Sequence, residues 1–165
     1  MRPAFFDPLR LFRELNDGGV RYVVIGALAG RLLGSPTLTR DLDICHATDP
    51  DNLRALAAVL GKLNARLRGT DDDVPFQLDA RSLAAGDSFT FSTAAGDLDI
   101  LGTPAGTSGY DELLRTAQAT DLDGLTVQVV GIDELIRMKR AAGRPKDLIE
   151  LEVLGALRDE LDRRR

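Results

Sequence analysis

The segment Asp41-Leu42-Asp43-Ile44 alternates acidic and apolar residues with a period of two. That period belongs to a strand with one wet face and one packed face. Asp41 and Asp43 then share a face, about 7 Å apart along the backbone, while Leu42 and Ile44 turn toward the core. Carboxylates held close together repel, at a cost of about 4 kcal/mol for a 4 Å separation and an effective dielectric near 20. A cation between them removes that cost, and for oxygen donors the fitting ion is magnesium (or manganese). The other reading is a solvated edge strand, with Arg40 neutralising one carboxylate in a salt bridge. The same alternation recurs at Asp97-Leu98-Asp99-Ile100. If the two acidic strands lie side by side, at least one later carboxylate joins the first pair. Three carboxylates on adjacent strands can seat two ions about 3.5–4 Å apart, the arrangement used for in-line phosphoryl or nucleotidyl transfer.

Upstream, the apolar strand Tyr22 to Ile25 runs into Gly26, and Ala27 to Leu33 reads as a helix. A glycine at that junction lets the backbone approach a ligand, and the helix N-terminus behind it offers N–H groups and a positive dipole end to phosphate. An ordinary strand-to-helix turn fits the same residues.

The other elements follow in order. Asp7-Pro8 is a cap followed by a first-turn proline, Leu9, Phe12 and Leu15 recur at helical spacing, and Gly18-Gly19 ends the helix. Asp49-Pro50 repeats the cap, and Leu53, Leu56, Leu60, Leu63 and Leu67 form one apolar stripe. Thr70 to Pro75 is a polar loop and Asp79 to Ala84 a single helical turn. Ser88 to Ser92 and Asp97 to Leu101 form a hairpin around Ala94-Ala95-Gly96. A loop over Pro104 to Gly109 precedes a helix over Tyr110 to Gln118 and a strand over Leu125 to Val130. Two helices close the chain, Asp133 to Ala142 and Pro145 to about Asp162, with the Gly143-Arg144-Pro145 turn between them. The pattern describes a small mixed α/β (α+β) domain spanning 1–165. Its sheet-containing core runs to 130 and its helical C-terminal end covers 131–165.

Several classes are excluded. No apolar run approaches bilayer length, and the N-terminus lacks a signal-peptide pattern, so the expectation is a cytoplasmic protein without a membrane partner. Cys45 is the only cysteine, which rules out an internal disulfide and a cysteine-rich zinc site. Cys45 reads as a small buried residue. With one histidine, His46, no Ser-His-Asp arrangement exists, and no Walker-type loop is present. A net charge of −5 opposes broad adhesion to nucleic acid but allows a local basic groove. Phe5, Phe6, Phe76, Phe89 and Phe91 read as core rather than as a stacking platform.

Of 21 basic residues only Lys62, Lys139 and Lys146 are lysines, and two of these flank one turn. Lys139 and Arg140 end one helix and Lys146 begins the next, so the turn can aim several cations at one point. A compact ammonium suits a triphosphate as a point charge. A solvated positive helix end fits the same residues. Asp147 is explained as a helix-start charge or as a partner for Arg144, and Arg163 to Arg165 as a solvated helix end.

A strand-end glycine, a D-x-D strand some 15 residues on and a later third aspartate together resemble the DNA polymerase β-like nucleotidyltransferase superfamily. The segments TRDLDI, GDLDIL and LIRMKRAAGRPKDLIELEVL are similar to those of small bacterial nucleotidyltransferases related to AbiEii-type toxins, over about Gly18 to Leu154. The resemblance implies Asp41 and Asp43 as the metal-binding pair and Asp99, rather than Asp97, as the third catalytic carboxylate. It implies nucleotide contacts at Gly26 and Ala27, with Arg40, Lys139 and Lys146 as further nucleotide-binding candidates. Ala27 departs from the family, which has glycine or serine there, and lacks a hydroxyl for phosphate. The implied activity is transfer of a nucleoside monophosphate from an NTP such as ATP to an acceptor hydroxyl. RNA, for instance a tRNA 3′ end, would be the acceptor for a toxin paired with an antitoxin protein. A small-molecule acceptor and an inert nucleotide- or partner-binding module with the same fold are the alternatives.

Overall fold

Helix starts in this chain are set by aspartate caps. Asp7 Oδ1 accepts the Arg10 amide proton at 3.1 Å, and Pro8 takes the first position of α1 (Pro8–Asp17), which buries Leu11, Phe12 and Leu15. The computed structural model describes residues 5–69 and 76–165. The next elements are β1 (Tyr22–Ile25), α2 (Gly26–Leu33), β2 (Asp41–His46) and α3 (Pro50–Lys62), the last capped by Asp49. Then come β3 (Arg66–Leu67), α4 (Ala80–Ala84) and the hairpin β4 (Ser88–Thr93) and β5 (Gly96–Leu101). Finally α5 (Tyr110–Thr116), β6 (Gln118–Leu122), β7 (Leu125–Val129), α6 (Ile132–Ala142) and α7 (Pro145–Arg163) complete the order.

The strands form one mixed seven-stranded sheet in the order β3-β4-β5-β2-β1-β7-β6. β2 pairs parallel with β5 and β1 parallel with β7, and the remaining pairs are antiparallel. The register of β2 on β5 sets Asp41 beside Asp97, Leu42 beside Leu98 and Asp43 beside Asp99. Alternation thus sorts the two strands cleanly. Leu42, Ile44, Leu98 and Ile100 are fully buried, each adding about 1.5–3 kcal/mol of apolar burial, and the carboxylates occupy the other face. α1 packs on α3 and β7, while α2 packs on β1, β2 and α6, and α6 on α7. Among the described residues no helix is long and apolar enough to cross a membrane.

The structure departs from the sequence reading at four places. Leu67 lies on β3, because Asn64 at φ +53° takes the left-handed turn that ends α3. The helix expected to reach Gln118 stops at Thr116, and Gln118–Leu122 is a sheet edge paired with β7. Asp123 and Gly124, both at positive φ, make the two-residue hairpin turn. Phe5 is 91% exposed and is not core, although Phe76, Phe89 and Phe91 cluster with ring centroids 5.8–6.1 Å apart. The loop expected at Thr70 to Pro75 lies outside the described residues.

Candidate active site

Register alone brings Asp99 to Asp43, and side-chain geometry completes the cluster. One carboxylate oxygen each from Asp41, Asp43 and Asp99 lies within 4.8 Å of the others. Asp41 is held by Thr39, whose Oγ1 donates to Oδ1 at 2.7 Å. Asp43 stands at the floor of the site. Burial, then the charges of Asp41 and Asp99, push its pKa from the ordinary carboxylate value up to about 7. Asp99 is raised too, by burial first, with the Arg68 guanidinium opposing. Hard oxygen donors at this separation, whose like-charge conflict Arg68 relieves only at Asp99, fit a divalent ion such as magnesium or manganese.

Gly26 is where α2 meets this floor. Its φ of +71° is left-handed, and a Cβ there would collide with Asp43 Oδ2. The glycine read from the sequence as a close-approach point is therefore required first by the carboxylate itself. Ala27 lines a narrow recess beside it, shared with Lys139 and Glu150.

A cleft of about 430 Å³ opens over Asp43 and Asp99. Gly26, Asp43 and Asp99 form one wall, the Ser88 and Thr90 side chains of β4 another, and Met138, Lys139 and Arg144 the side toward α6 and α7. Its size suits a nucleotide or a drug-sized ligand.

The cations are arranged differently from the sequence expectation. Lys139 does reach the cleft, yet it is only 11% exposed and is tied to Glu150 at 2.7 Å and Asp147 at 3.6 Å. Lys146 is exposed at the start of α7 and Arg40 is exposed before β2, and neither lines the cleft. Asp99 and Asp97, rather than the Asp41–Asp43 pair for which Arg40 is the sequence candidate, have a guanidinium partner among the described residues: Arg68, at 2.8 and 3.2 Å, from the far side of β4. The cation at the turn that faces the cleft is Arg144 rather than Lys146. Asp147, fully buried, accepts from Arg144 Nε at 2.8 Å, from Nη2 at 3.3 Å and from its backbone amide at 3.0 Å. Those bonds hold the Asp147 carboxyl below its ordinary pKa.

Arg68 and Arg144 were not singled out in the sequence as site residues. For Arg144 a signal existed, since an aspartate three residues into a helix is placed to accept from the preceding cap residue's backbone amide and guanidinium. Arg68 carries no local signal, because its contacts cross two strands. Elsewhere Cys45 is buried, as expected, and so is His46, whose Nδ1 lies 3.1 Å from the Ala47 carbonyl.

The architecture is that of the nucleotidyltransferase fold. No family model matches the chain, and no curated protein matches its sequence. Solved structures match over nearly the whole length. The lincosamide antibiotic adenylyltransferase LnuA, in its lincomycin-bound form, is 11% identical, with TM-score 0.61 over 91% of this chain and 95% of its own. ANT(2″)-Ia, in complex with adenylyl-2″-tobramycin, is 14% identical, with TM-score 0.54 over 95% of each chain. A candidate nucleotidyltransferase from Thermotoga maritima (TM1012) is 16% identical, with TM-score 0.54 over 97% of each chain.

Proposed function

We propose that this chain is a divalent-metal-dependent nucleotidyltransferase, moving a nucleoside monophosphate from an NTP to an acceptor hydroxyl. The observation that carries the reading is the convergence of Asp41, Asp43 and Asp99 within 4.8 Å, with Asp43 and Asp99 lining a nucleotide-sized cleft. Asp41, Asp43 and Asp99 would hold the ions, which when bound neutralise charge on the phosphates and lower the pKa of the attacking hydroxyl. Asp99, held by Arg68 at Oδ1 and hydrogen-bonded to the Asp43 side chain, would accept the proton of the acceptor hydroxyl. Gly26 keeps the backbone low enough for the nucleotide to reach the carboxylates. Arg144, oriented by Asp147, binds phosphate oxygens as a fork, and Lys139 supplies a compact charge from the same wall. Arg40 and Lys146 lie off the cleft and serve at most its outer margin.

The segment resemblance supports an RNA acceptor, such as a tRNA 3′ end, for a toxin of the AbiEii type with a protein antitoxin. A second reading, a small-molecule acceptor, is favoured by two observations. The chain is acidic, at −5, and the matched structures include antibiotic adenylyltransferases carrying lincomycin and adenylyl-tobramycin. Incubation with labelled NTP, magnesium and total RNA, beside Asp43→Ala, tests both. Label in RNA that vanishes in the variant supports the toxin reading. Label only in small hydroxylated acceptors supports the second. No magnesium-dependent transfer to any acceptor, with NTP binding unimpaired by the substitution, overturns catalysis and leaves a nucleotide-binding module.

A further inference from the structure

Arg68 is the one basic side chain paired directly with the acidic face of β5 among the described residues. Its backbone amide donates to the Thr90 carbonyl at 2.9 Å, anchoring the residue to β4 just beyond β3. From there the guanidinium reaches across β4. Nη2 meets Asp99 Oδ1 at 2.8 Å and Nη1 meets Asp97 Oδ2 at 3.2 Å, while Nη1 also lies 3.4 Å from the Phe91 carbonyl. A fork with three partners, one-third exposed, is a fixed charge rather than a swinging one. The other basic groups lining the cleft are differently committed, Lys139 to Glu150 and Asp147 and Arg144 to Asp147, so these four charges balance among themselves.

We propose that Arg68 is a positioning residue that both orients Asp99 and limits how many divalent ions the free protein holds. The inference rests on the metal-centre reading above and deepens it. Its basis is charge balance. Once a cation has displaced the Asp43 proton, Asp41, Asp43, Asp97 and Asp99 bring four negative charges, and Arg68 offsets one of them. A first divalent ion leaves the group one charge negative. A second overshoots to one charge positive, in a partly buried site where the guanidinium sits against one of the ligands it needs. The phosphates of an incoming nucleotide supply the missing negative charge. The centre therefore holds one ion in the free protein and takes the second together with the nucleotide. Asp97, committed to Arg68, serves as the outer arm of this brace and not as a ligand.

The test is manganese binding to the full chain by calorimetry, without and with a non-hydrolysable NTP analogue. Wild type should bind one ion alone and two with the analogue. Arg68→Met, similar in reach but uncharged, should bind the first ion about tenfold more tightly, as expected on removing a unit positive charge a few ångströms away. It should also take a second ion without nucleotide, whereas a merely structural role predicts weaker metal binding. Arg68→Lys keeps the charge and loses the fork, so it should stay at one ion while Asp99 is less well held. If Arg68→Met fails to fold, Asp97→Asn carries the test: removing one negative charge beside Asp41 should weaken the first ion about tenfold and leave the second dependent on nucleotide, and unchanged first-ion affinity overturns the charge balance. Two ions on free wild type, or an unchanged stoichiometry in Arg68→Met, overturns the role of Arg68 and leaves the metal centre standing. No manganese bound by wild type under any condition overturns both.

Discussion

At the scale of single residues, Asp43 concentrates the conflict between stability and chemistry. Its pKa in the folded chain, about 7, lies well above the ordinary carboxylate value. The folded state therefore holds a proton that the unfolded state has lost, and this group's contribution is full below about pH 4 and disappears as pH rises through 7. Metal-free protein should lose thermal stability from pH 5 to pH 8, as followed by circular dichroism in EDTA. Magnesium at pH 8 should recover it, and the melting-temperature rise it produces should be larger at pH 8 than at pH 5.5. Asp43→Asn should melt higher than wild type at pH 8 without metal, show no magnesium-dependent rise and have no transferase activity. Gly26→Ala acts on the same atoms from the other side. Its left-handed φ alone costs about 1–2 kcal/mol for an L-residue, and its new Cβ strikes Asp43 Oδ2. Urea unfolding should register at least that loss, with activity falling further than stability explains. Ala27→Gly should leave activity near wild type.

At the scale of elements, the α6–α7 corner is organised by one buried carboxylate. Asp147 caps α7, receives the Arg144 side chain and stands 3.6 Å from Lys139. Asp147→Asn keeps the shape but strips the countercharge from two cations. The expected loss is about 3 kcal/mol in urea unfolding, the scale for breaking a buried ion pair by removing one partner. Because that carboxyl's pKa is depressed, its stabilisation is present at neutral pH and fades as pH falls below the ordinary carboxylate value. The difference between wild type and Asp147→Asn should therefore shrink in acid. Elements also explain what the sequence concealed. Asp7, Asp49 and Asp79 announce their helices through local caps, and all three helices start where expected. β6 was concealed because its residues, Gln-Ala-Thr-Asp-Leu, are mostly exposed at a sheet edge and lack an apolar alternation. The Asp123-Gly124 pair was the signal that could have revealed it.

At the scale of the whole molecule, the carboxylate cluster was legible because period-two alternation fixes which residues share a face. It could not say that β2 and β5 pair parallel, since that depends on the crossover through α3 and the β3–β4 segment. Arg68, separated from Asp99 by 31 positions, was illegible for the same reason. Net charge yields a further expectation. With −5 overall, binding to random-sequence RNA at physiological salt should be undetectable by fluorescence anisotropy, because a chain of this charge releases few counterions. Any RNA acceptor must then be recognised by shape, or through a partner protein.

The pairing of β2 with β5 has one more implication. Shifting either strand by a single position would turn its aspartates inward and its Leu or Ile outward, so a slipped chain would forfeit hydrophobic burial and strand charge in an oily interior. Oil and water thus police the alignment that chemistry relies upon. Substitutions that loosen the apolar side, such as Leu98→Ala, should weaken manganese binding in calorimetry while the chain is still folded by circular dichroism, although Leu98 is not among the residues lining the cleft.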